Sequence, residues 1–393
     1  MGAHRRGSHR RRDRGNRRLV LAAIGGLVVA LLLAVAVVLL LPNGGATPAA
    51  AGEASAPHGQ STTLVVLGSE GRPALGAALL GVGGTSSLLT LPMHLVTAVP
   101  GEGTEPLGRA LTSDDLQAGE AAVEDMLGIR VDTGIKLSPE AYASLIDRVG
   151  GVTVDVDALV RSGNDFFATP GPNQHLRGAA ASAYAGMLGG AEHETTRLAR
   201  FSKVLVALLG RLPDTAGANV RLLGQLGDGV VTDSSFNGPA QAFAAARAAV
   251  RGGSLWQGAM PTRPLGTGEF EYGVDPMAAA TTVTQQFAAA QDPPDPGAPS
   301  VYVVNGVTGS SDTVLAMRDR LRANGLSYAG FRNATQLGLS TSRVLIPDGA
   351  PNDIAAGQRV ARALGLPQSS VAVDSLGQRL ADVMVLVGTD WRQ

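Results

Sequence analysis

The longest apolar stretch of the chain runs from Leu19 to Leu41 without one charged or polar side chain. As a helix that rises about 1.5 Å per residue, it would extend about 35 Å, enough to cross a hydrocarbon core about 30 Å thick. Eight arginines stand within residues 1–18, and basic residues beside a span stay on its cytoplasmic side. The pattern predicts a single-pass membrane protein with a basic cytoplasmic head at 1–18, a transmembrane helix at 19–41 and an extracytoplasmic C-terminus.

A cleaved signal peptide is the alternative interpretation of this segment. The small residues Ala49-Ala50-Ala51 could form a cleavage site. The apolar core of a signal peptide, however, has only about 7–15 residues, fewer than the run that ends at Leu41. An uncleaved anchor therefore fits the pattern better.

Beyond the anchor, an Ala-, Pro-, Gly- and Ser-rich stretch at 42–61 predicts a flexible stalk. Short apolar runs then alternate with helical spacing over residues 62–290, which predicts an α/β/α domain around a central mixed sheet. The predicted strands are Thr63–Leu67, Ala77–Val82, Ser87–Leu91 and Val152–Val156. The predicted helices are Gln117–Leu127, Pro139–Val149, Ala179–Met187, Thr195–Leu212 and Asp233–Arg251.

A Pro-rich linker at 291–299 precedes a second predicted domain at 300–393. Its apolar runs and helical segments follow the order βαββαβ, which predicts a small α/β sandwich, ferredoxin-like or close to it. The elements are predicted at Val301–Val304, Ser311–Ala323, Tyr328–Arg332, Arg343–Ile346, Asp353–Leu364 and Ala381–Val387.

Composition narrows the function classes. The chain has no cysteine, which excludes disulfides, zinc–thiolate sites and cysteine nucleophiles. Residues 19–393 hold 24 basic and 32 acidic side chains, a net charge of −8, so the body offers no basic field for nucleic acid. The six histidines show no metal-binding spacing, so no metal site is predicted. Only Lys136 and Lys203 are lysines, a bias typical of GC-rich, actinobacteria-like genomes.

Several short strings, in order, match one family. They are Leu67-Gly-Ser-Glu-Gly-Arg72, Asp147-Arg-Val-Gly-Gly-Val-Thr-Val-Asp155, Gln174-His-Leu-Arg-Gly178, Ala183-Tyr184 and Arg197-Leu-Ala-Arg200. With the N-terminal anchor, they resemble the LytR–CpsA–Psr family of bacterial cell-envelope proteins. Residues from Tyr302-Val-Val-Asn-Gly306 to Leu386-Val-Gly-Thr-Asp-Trp391 resemble the LytR C-terminal domain.

The resemblance implies an activity and a site. Family members move a glycopolymer from a polyprenyl-pyrophosphate carrier onto peptidoglycan. Such a site needs guanidinium groups that grip the pyrophosphate and a divalent metal on carboxylates that offsets charge on the leaving phosphate. The motifs place a pyrophosphate- or anion-binding role on Glu70, Arg72, Arg197 and Arg200. For Arg197 and Arg200, a pair of surface arginines is the alternative interpretation.

The chain departs from the family at its polar positions. The family's Ser-Ile-Pro-Arg-Asp string reads Thr90-Leu-Pro-Met-His94, its Asp-Thr reads Leu75-Gly76, and its Tyr-x-Arg-x-Arg reads Tyr184-Ala-Gly-Met-Leu188. The degenerate positions are therefore Leu75, Met93, His94, Gly186 and Leu188. Because loss of one charge-stabilising donor costs a factor of about 10²–10³ in rate, loss of this set predicts a pseudoenzyme with no confident catalytic residue.

Two hypotheses follow. The first is a non-catalytic, cofactor-free envelope protein, in the membrane, that binds a polyprenyl-linked lipid, peptidoglycan or another envelope protein and acts as an accessory in cell-wall assembly. The alternative is an active glycopolymer transferase that uses Mg2+. Transcriptional attenuation finds no support, because residues 1–18 are too short for a DNA-binding fold.

Overall fold

A computed structural model describes residues 59–99, 103–112, 116–162, 165–265, 272–291, 295–308, 311–374 and 381–392. The predicted head at 1–18, the predicted transmembrane helix at 19–41 and the predicted stalk up to residue 58 lie outside these ranges. Within them, no helix combines the length and apolarity needed to cross a bilayer.

The first part of the chain forms a mixed sheet with helices and small hairpins around it. The strands are β1 (Ser61–Leu67), β2 (Gly76–Val82), β3 (Ser87–Leu91), β4 (Val96–Val99), β5 (Gly103–Pro106), β6 (Thr133–Leu137), β7 (Val152–Val156), β8 (Val160–Ser162), β9 (Asp165–Ala168), β10 (Gly171–Leu176), β11 (Val230–Thr232), β12 (Trp256–Ala259), β13 (Thr262–Pro264) and β14 (Tyr272–Val274). The helices are α1 (Leu107–Ala110), α2 (Gln117–Leu127), α3 (Pro139–Arg148), α4 (Gly178–Gly186), α5 (Glu194–Leu209), α6 (Ala216–Gly224), α7 (Asn237–Arg251) and α8 (Pro276–Gln286).

Six strands make the central sheet in the order β11-β6-β1-β2-β3-β12. The strands β1, β3, β6 and β12 run parallel to one another, while β2 and β11 run against them. The predicted mixed sheet is therefore confirmed. The other strands pair locally, as β4 with β5, β7 with β10, β8 with β9 and β13 with β14.

The sheet lies between two helical layers, because its strands are apolar on both faces. Along β1, Val65 and Leu67 pack into a core with α3, α4, α5 and α7. The alternate residues Leu64 and Val66 pack into a second core with α1, α2 and α8. All four side chains are at most 1% exposed, and the predicted α/β/α arrangement is confirmed.

A second sheet follows, with its own core of buried residues. Its elements are β15 (Ser300–Asn305), α9 (Ser311–Ala323), β16 (Ser327–Asn333), β17 (Arg343–Ile346), α10 (Pro351–Leu364), β18 (Val371–Val373) and β19 (Val383–Val387). The strand order is β16-β15-β19-β17-β18. The division of the chain into domains at 62–290 and 300–393 stays a prediction, since the described residues form one compact unit.

The predicted βαββαβ, ferredoxin-like sandwich is wrong in two respects. The prediction omits β18, which has only three residues and is too short for an alternating apolar pattern. It also implies the wrong pairing, because β15 pairs in parallel with both β16 and β19, and only β17 and β19 are antiparallel. Strand order depends on contacts between distant residues, which local periodicity does not report.

Candidate functional site

The family-like strings after β1 and after β3 and the start of α5 lie at one edge of the central sheet. Because β1, β3 and β6 are parallel, their carboxyl ends lie together there. The loop after β1 and the loop after β3 are joined through α1, since the Ala74 N–H donates to the Gly108 carbonyl and the Gly108 N–H donates to the Met93 carbonyl. The N-terminus of α5 closes the edge from the side of the α3, α4, α5 and α7 layer.

A small polar cluster occupies this edge. Nη2 of Arg197 donates to both carboxylate oxygens of Glu194, at 2.7 and 2.6 Å, one turn earlier on α5. Oε1 of Glu194 also accepts the Met93 N–H at 3.3 Å, and Nδ1 of His94 lies 3.6 Å from Oε2. Glu194 opens the helix, where its charge is favoured by the helix dipole. The guanidinium of Arg197 is thus already matched by a carboxylate of the chain itself.

One donor of this cluster is left over. Nε of Arg197 is buried and has no hydrogen-bond partner in the described part of the chain. A buried unsatisfied donor costs about 1–3 kcal/mol, which an acceptor from a ligand or a water would recover. An acceptor placed beside Nε of Arg197 would satisfy this donor.

Arg200 lies three residues further along α5 and faces elsewhere. It is 1% exposed, and Phe201 beside it packs in the core. Its Nε and Nη2 donate to Asp157, its Nη1 and Nη2 donate to Glu192 at 2.7 and 2.6 Å, and its Nη1 also donates to the Met187 carbonyl at 3.1 Å. All five N–H groups of the guanidinium have acceptors within the chain.

Tyr184 completes the Arg200 network. Its hydroxyl donates to Oδ1 of Asp157 at 2.5 Å and its ring lies under the guanidinium, 5.9 Å from centroid to Cζ. Burial, helped by the hydrogen bond to Asp157, raises the pKa of Tyr184 to about 12. The hydrogen bonds from Arg200 hold the pKa of the Asp157 carboxyl and that of the Glu192 carboxyl below their usual range. The network ties the segment before α5 to the end of β7.

This geometry distinguishes the two arginines on α5 that were predicted to bind an anion. Arg200 has no N–H free for a ligand, which does not favour its predicted binding role. Arg197 still has an unpartnered Nε–H that could bind one. The ligand role of the whole predicted set stays a prediction.

Glu70 and Arg72 lie exposed in the loop between β1 and β2. Neither side chain forms a hydrogen bond or ion pair with any residue that the structure describes. The structure places them at the same edge of the sheet, but it does not bring them into contact with Arg197.

Four of the five degenerate positions line this edge in two pairs. A Cβ on Gly186 would lie 3.1 Å from Cδ1 of Leu75, so these two residues are in contact. Met93 is 3% exposed and, with His94, contacts Glu194. The fifth position, Leu188, is 38% exposed. Leu75, Met93 and Leu188 are apolar, Gly186 has no side chain and His94 is polar, and their correspondence to the family's charged positions stays a prediction.

The acid sensitivity of the Arg200 network gives a testable prediction. Because the pKa of Asp157 is lowered in the folded chain, the unfolded chain binds more protons in acid, and stability should fall as pH falls below about 4. Asp157→Asn is expected to flatten this fall in urea unfolding measured from pH 6 to pH 3. Asp214→Asn is the control, since Asp214 is 82% exposed and 3.7 Å from Arg247. Equal acid dependence in both variants would contradict the prediction.

Sequence reasoning missed Asp157 and Glu192. Neither lies in a quoted string, and the loop that holds Glu192 has no periodicity. A signal was available in Arg200, because an arginine next to Phe201 on the buried side of an amphipathic helix requires acidic partners.

Comparisons with known proteins agree with this architecture. Residues 109–252 match the model of the LytR_cpsA_psr family. The structure resembles Bacillus subtilis TagV at 16% identity, with a TM-score of 0.50, over 60% of this chain and 98% of that one. At that identity the likeness is one of fold. No curated protein matches the sequence.

Two further structures are similar at lower scores. A LytR-Csp2A-Psr enzyme from Actinomyces oris is 20% identical, with a TM-score of 0.48, over 58% of this chain and 90% of that one. TagT bound to LI-WTA is 16% identical, with a TM-score of 0.47, over 60% of this chain and 94% of that one. The family match does not reach the second sheet, whose likeness to a LytR C-terminal domain stays a prediction. The chain thus resembles the LytR–CpsA–Psr family, which supports a role in the cell envelope, and residues 109–252 carry that resemblance.

Proposed function

We propose that this chain is a membrane-anchored, extracytoplasmic protein of cell-wall assembly whose LytR–CpsA–Psr-like site binds an anionic envelope ligand without cleaving it. The observation that supports this proposal most strongly is that both arginines on α5 are already paired with carboxylates of the chain. Glu194 holds Arg197, and Asp157 and Glu192 hold Arg200. The ligand that best suits the site is the headgroup of a polyprenyl-linked lipid.

Charge supports binding without turnover. Transfer from a pyrophosphate carrier requires donors aimed at the charge that develops on the leaving phosphate, each worth a factor of about 10²–10³. At this edge the family's arginine positions hold Met93, Gly186 and Leu188. Arg197 offers an unpartnered Nε–H that can orient an anion, and the lost arginines leave fewer donors for the charge that develops in turnover.

The residues do not fit a magnesium ion. The ion prefers several oxygen ligands in octahedral geometry, and the family's carboxylate positions hold Leu75 and His94 here. Glu194 points at Arg197. Among the described residues, no three His, Asp or Glu side chains group as a metal site.

The alternative, an active glycopolymer transferase that uses Mg2+, draws on one observation. His94, Glu194 and Arg197 form a polar cluster where the family places catalytic groups. For catalysis, Arg197 would have to leave Glu194, and Glu70 would have to supply the metal ligand.

A binding measurement tests the proposal. The full-length chain in detergent is titrated with a polyprenyl pyrophosphate, and we expect saturable binding that Arg197→Ala weakens at least tenfold. Arg221→Ala is the matched control, since Arg221 is an exposed arginine on α6, and it should bind as the unmodified chain does. Equal binding by all three proteins would remove Arg197 from the site, and no binding by any of them would sink the ligand proposal.

The anchor gives a separate prediction, since the apolar run alone carries it. Replacing Ala30, Leu31 and Leu32 together by Asp should release the chain into the soluble fraction of lysed cells. Each charge at the centre of a span costs about 2.5–3.5 kcal/mol on insertion scales. Retention in washed membranes would count against a transmembrane helix at 19–41.

For the second sheet we propose an interaction module related to the LytR C-terminal domain. Its partner class is peptidoglycan or another envelope protein. Support comes from the Tyr302–Gly306 string on β15 and the Leu386–Trp391 string at the end of β19. Both lie on neighbouring strands of one sheet.

A further inference from the structure

The two sheets meet across α2, and the contact begins with a neutralised carboxylate. Oε2 of Glu124 accepts a hydrogen bond from Nη1 of Arg318 on α9, and Nη1 of Arg322 lies 3.5 Å away. Its other oxygen accepts the Val131 N–H at 2.7 Å. Glu124 is 4% exposed, so this pairing is buried between α2 and α9.

The next residue, Asp125, enters the same contact without a cation. Its Oδ1 accepts the N–H of Phe331 on β16 at 3.1 Å. Gly330 makes room for it, because a Cβ there would lie 2.5 Å from Oδ1, and its φ of +119° suits glycine. No basic side chain of the described residues forms an ion pair with Asp125.

The groups around Asp125 do not replace a missing counter-ion. Arg318 and Arg322 of α9 pair with Glu124, and Arg322 also lies over the Tyr328 ring at 5.6 Å from its centroid. The titratable and charged groups that face this region are Glu124 on α2, Arg318 and Arg322 on α9, Tyr328 and Arg332 on β16, and Tyr302 on β15. A protonated, neutral Asp125 fits among them, whereas an ionised one is desolvated with a single N–H for compensation.

We propose that Asp125 makes the attachment of the second sheet to α2 dependent on pH, so that the two sheets hold together most tightly in acid and loosen as Asp125 ionises. The described contact is the tight state. The loosened state leaves the Phe331 N–H and the Asp125 carboxyl to water.

The direction of this pH dependence follows from the linkage between attachment and protonation of Asp125. Burial raises the pKa of Asp125 from 3.8 to about 6, against a smaller opposing effect of the Phe331 N–H. A raised carboxyl pKa means that the attached state binds the proton more tightly than the loosened state does. Attachment is therefore strongest below about pH 4 and weakens as pH rises through about 6, by about a hundredfold in equilibrium constant for two pKa units.

The hairpin of β4 and β5 connects the second sheet to the candidate site. Nδ2 of Asn333 on β16 donates to the carbonyl of Val99, the last residue of β4, at 3.0 Å. That strand begins two residues after His94. Loosening the second sheet therefore removes this hydrogen bond from the hairpin that follows the cluster of His94, Glu194 and Arg197.

Single-molecule fluorescence transfer in the full-length chain tests this. The chain has no cysteine, so dyes can be placed on Thr104→Cys and Ala323→Cys, two exposed positions on β5 and at the end of α9. Between pH 4.5 and pH 8, we expect a shift from one high-transfer population to a mixture with a lower-transfer one, which grows as pH rises and levels off above about pH 6. Asp125→Asn should keep the high-transfer population throughout.

Three comparisons decide the outcome. Asp214→Asn should follow the unmodified chain, and Glu124→Gln should add low-transfer molecules at every pH while the population still depends on pH. Far-ultraviolet circular dichroism confirms that each variant is folded. A pH-independent distribution in the unmodified chain overturns the proposal, and so does a pH-dependent shift that survives in a folded Asp125→Asn variant.

Discussion

Replacing Arg200 by Met is expected to lower the free energy of unfolding by about 3 kcal/mol, the low end of the range for removing one partner of a buried ion pair. The substitution leaves Asp157, Glu192 and the Met187 carbonyl without their donor, while Met fills part of the space. The low end applies because the two carboxylates are 42% and 31% exposed and water can solvate them. Urea unfolding followed by circular dichroism measures the loss.

Arg197→Met, three residues earlier on α5, is the matched control and should cost less than Arg200→Met, since Arg197 pairs with one carboxylate and Arg200 with two. The two substitutions separate a structural arginine from a ligand-binding one. We expect Arg200→Met to lose stability, and Arg197→Met to lose ligand. An Arg200→Met variant as stable as the unmodified chain but unable to bind ligand would reverse this assignment.

Glu194→Gln is expected to raise the affinity for pyrophosphate about tenfold, which corresponds to about 1.4 kcal/mol. The carboxylate occupies Nη2 of Arg197 with both oxygens and repels an incoming anion. The amide keeps an acceptor for the Met93 N–H and removes the charge. A charge pair about 4 Å apart near a protein surface is worth up to about 4 kcal/mol, so a tenfold gain is a modest part of it.

Calorimetric titration with inorganic pyrophosphate measures this gain. Glu140→Gln is the control, because Glu140 is an exposed carboxylate on α3, and its affinity should equal that of the unmodified chain. Adding Arg197→Ala to Glu194→Gln should abolish the gain. A lower affinity in Glu194→Gln would show instead that the carboxylate organises the site for its ligand.

Strong periodicity allowed three of the six strands of the central sheet to be predicted, and β6, β11 and β12 were missed. The apolar strands β1, β2 and β3 were found within one or two residues of their ends. The strand β6, which pairs with β1, was missed, because it reads Thr-Gly-Ile-Lys-Leu and contains both a glycine and a lysine. Lys136 is 2% exposed and its ammonium donates to the Thr112 carbonyl at 3.0 Å, a compensation that only the fold supplies.

The candidate site could likewise be predicted only in part from the sequence. Family strings indicated the positions Leu75, Met93, His94 and Gly186, and the structure brings these into two contacts at one edge. The roles of Arg197 and Arg200 could not be told apart from sequence, since both belong to one string. Their difference lies in Asp157 and Glu192, which reach Arg200 from 43 and 8 residues away.

The central claim is that the site binds but does not cleave, and turnover measures it most directly. The full-length chain is incubated with a polyprenyl-pyrophosphate-linked glycan and magnesium, beside a catalytically competent family member, and lipid phosphate release is followed over hours. We expect release no faster than in the protein-free blank, while the competent enzyme consumes its substrate. Release above the blank that Arg197→Ala abolishes and Arg221→Ala leaves intact would contradict the account.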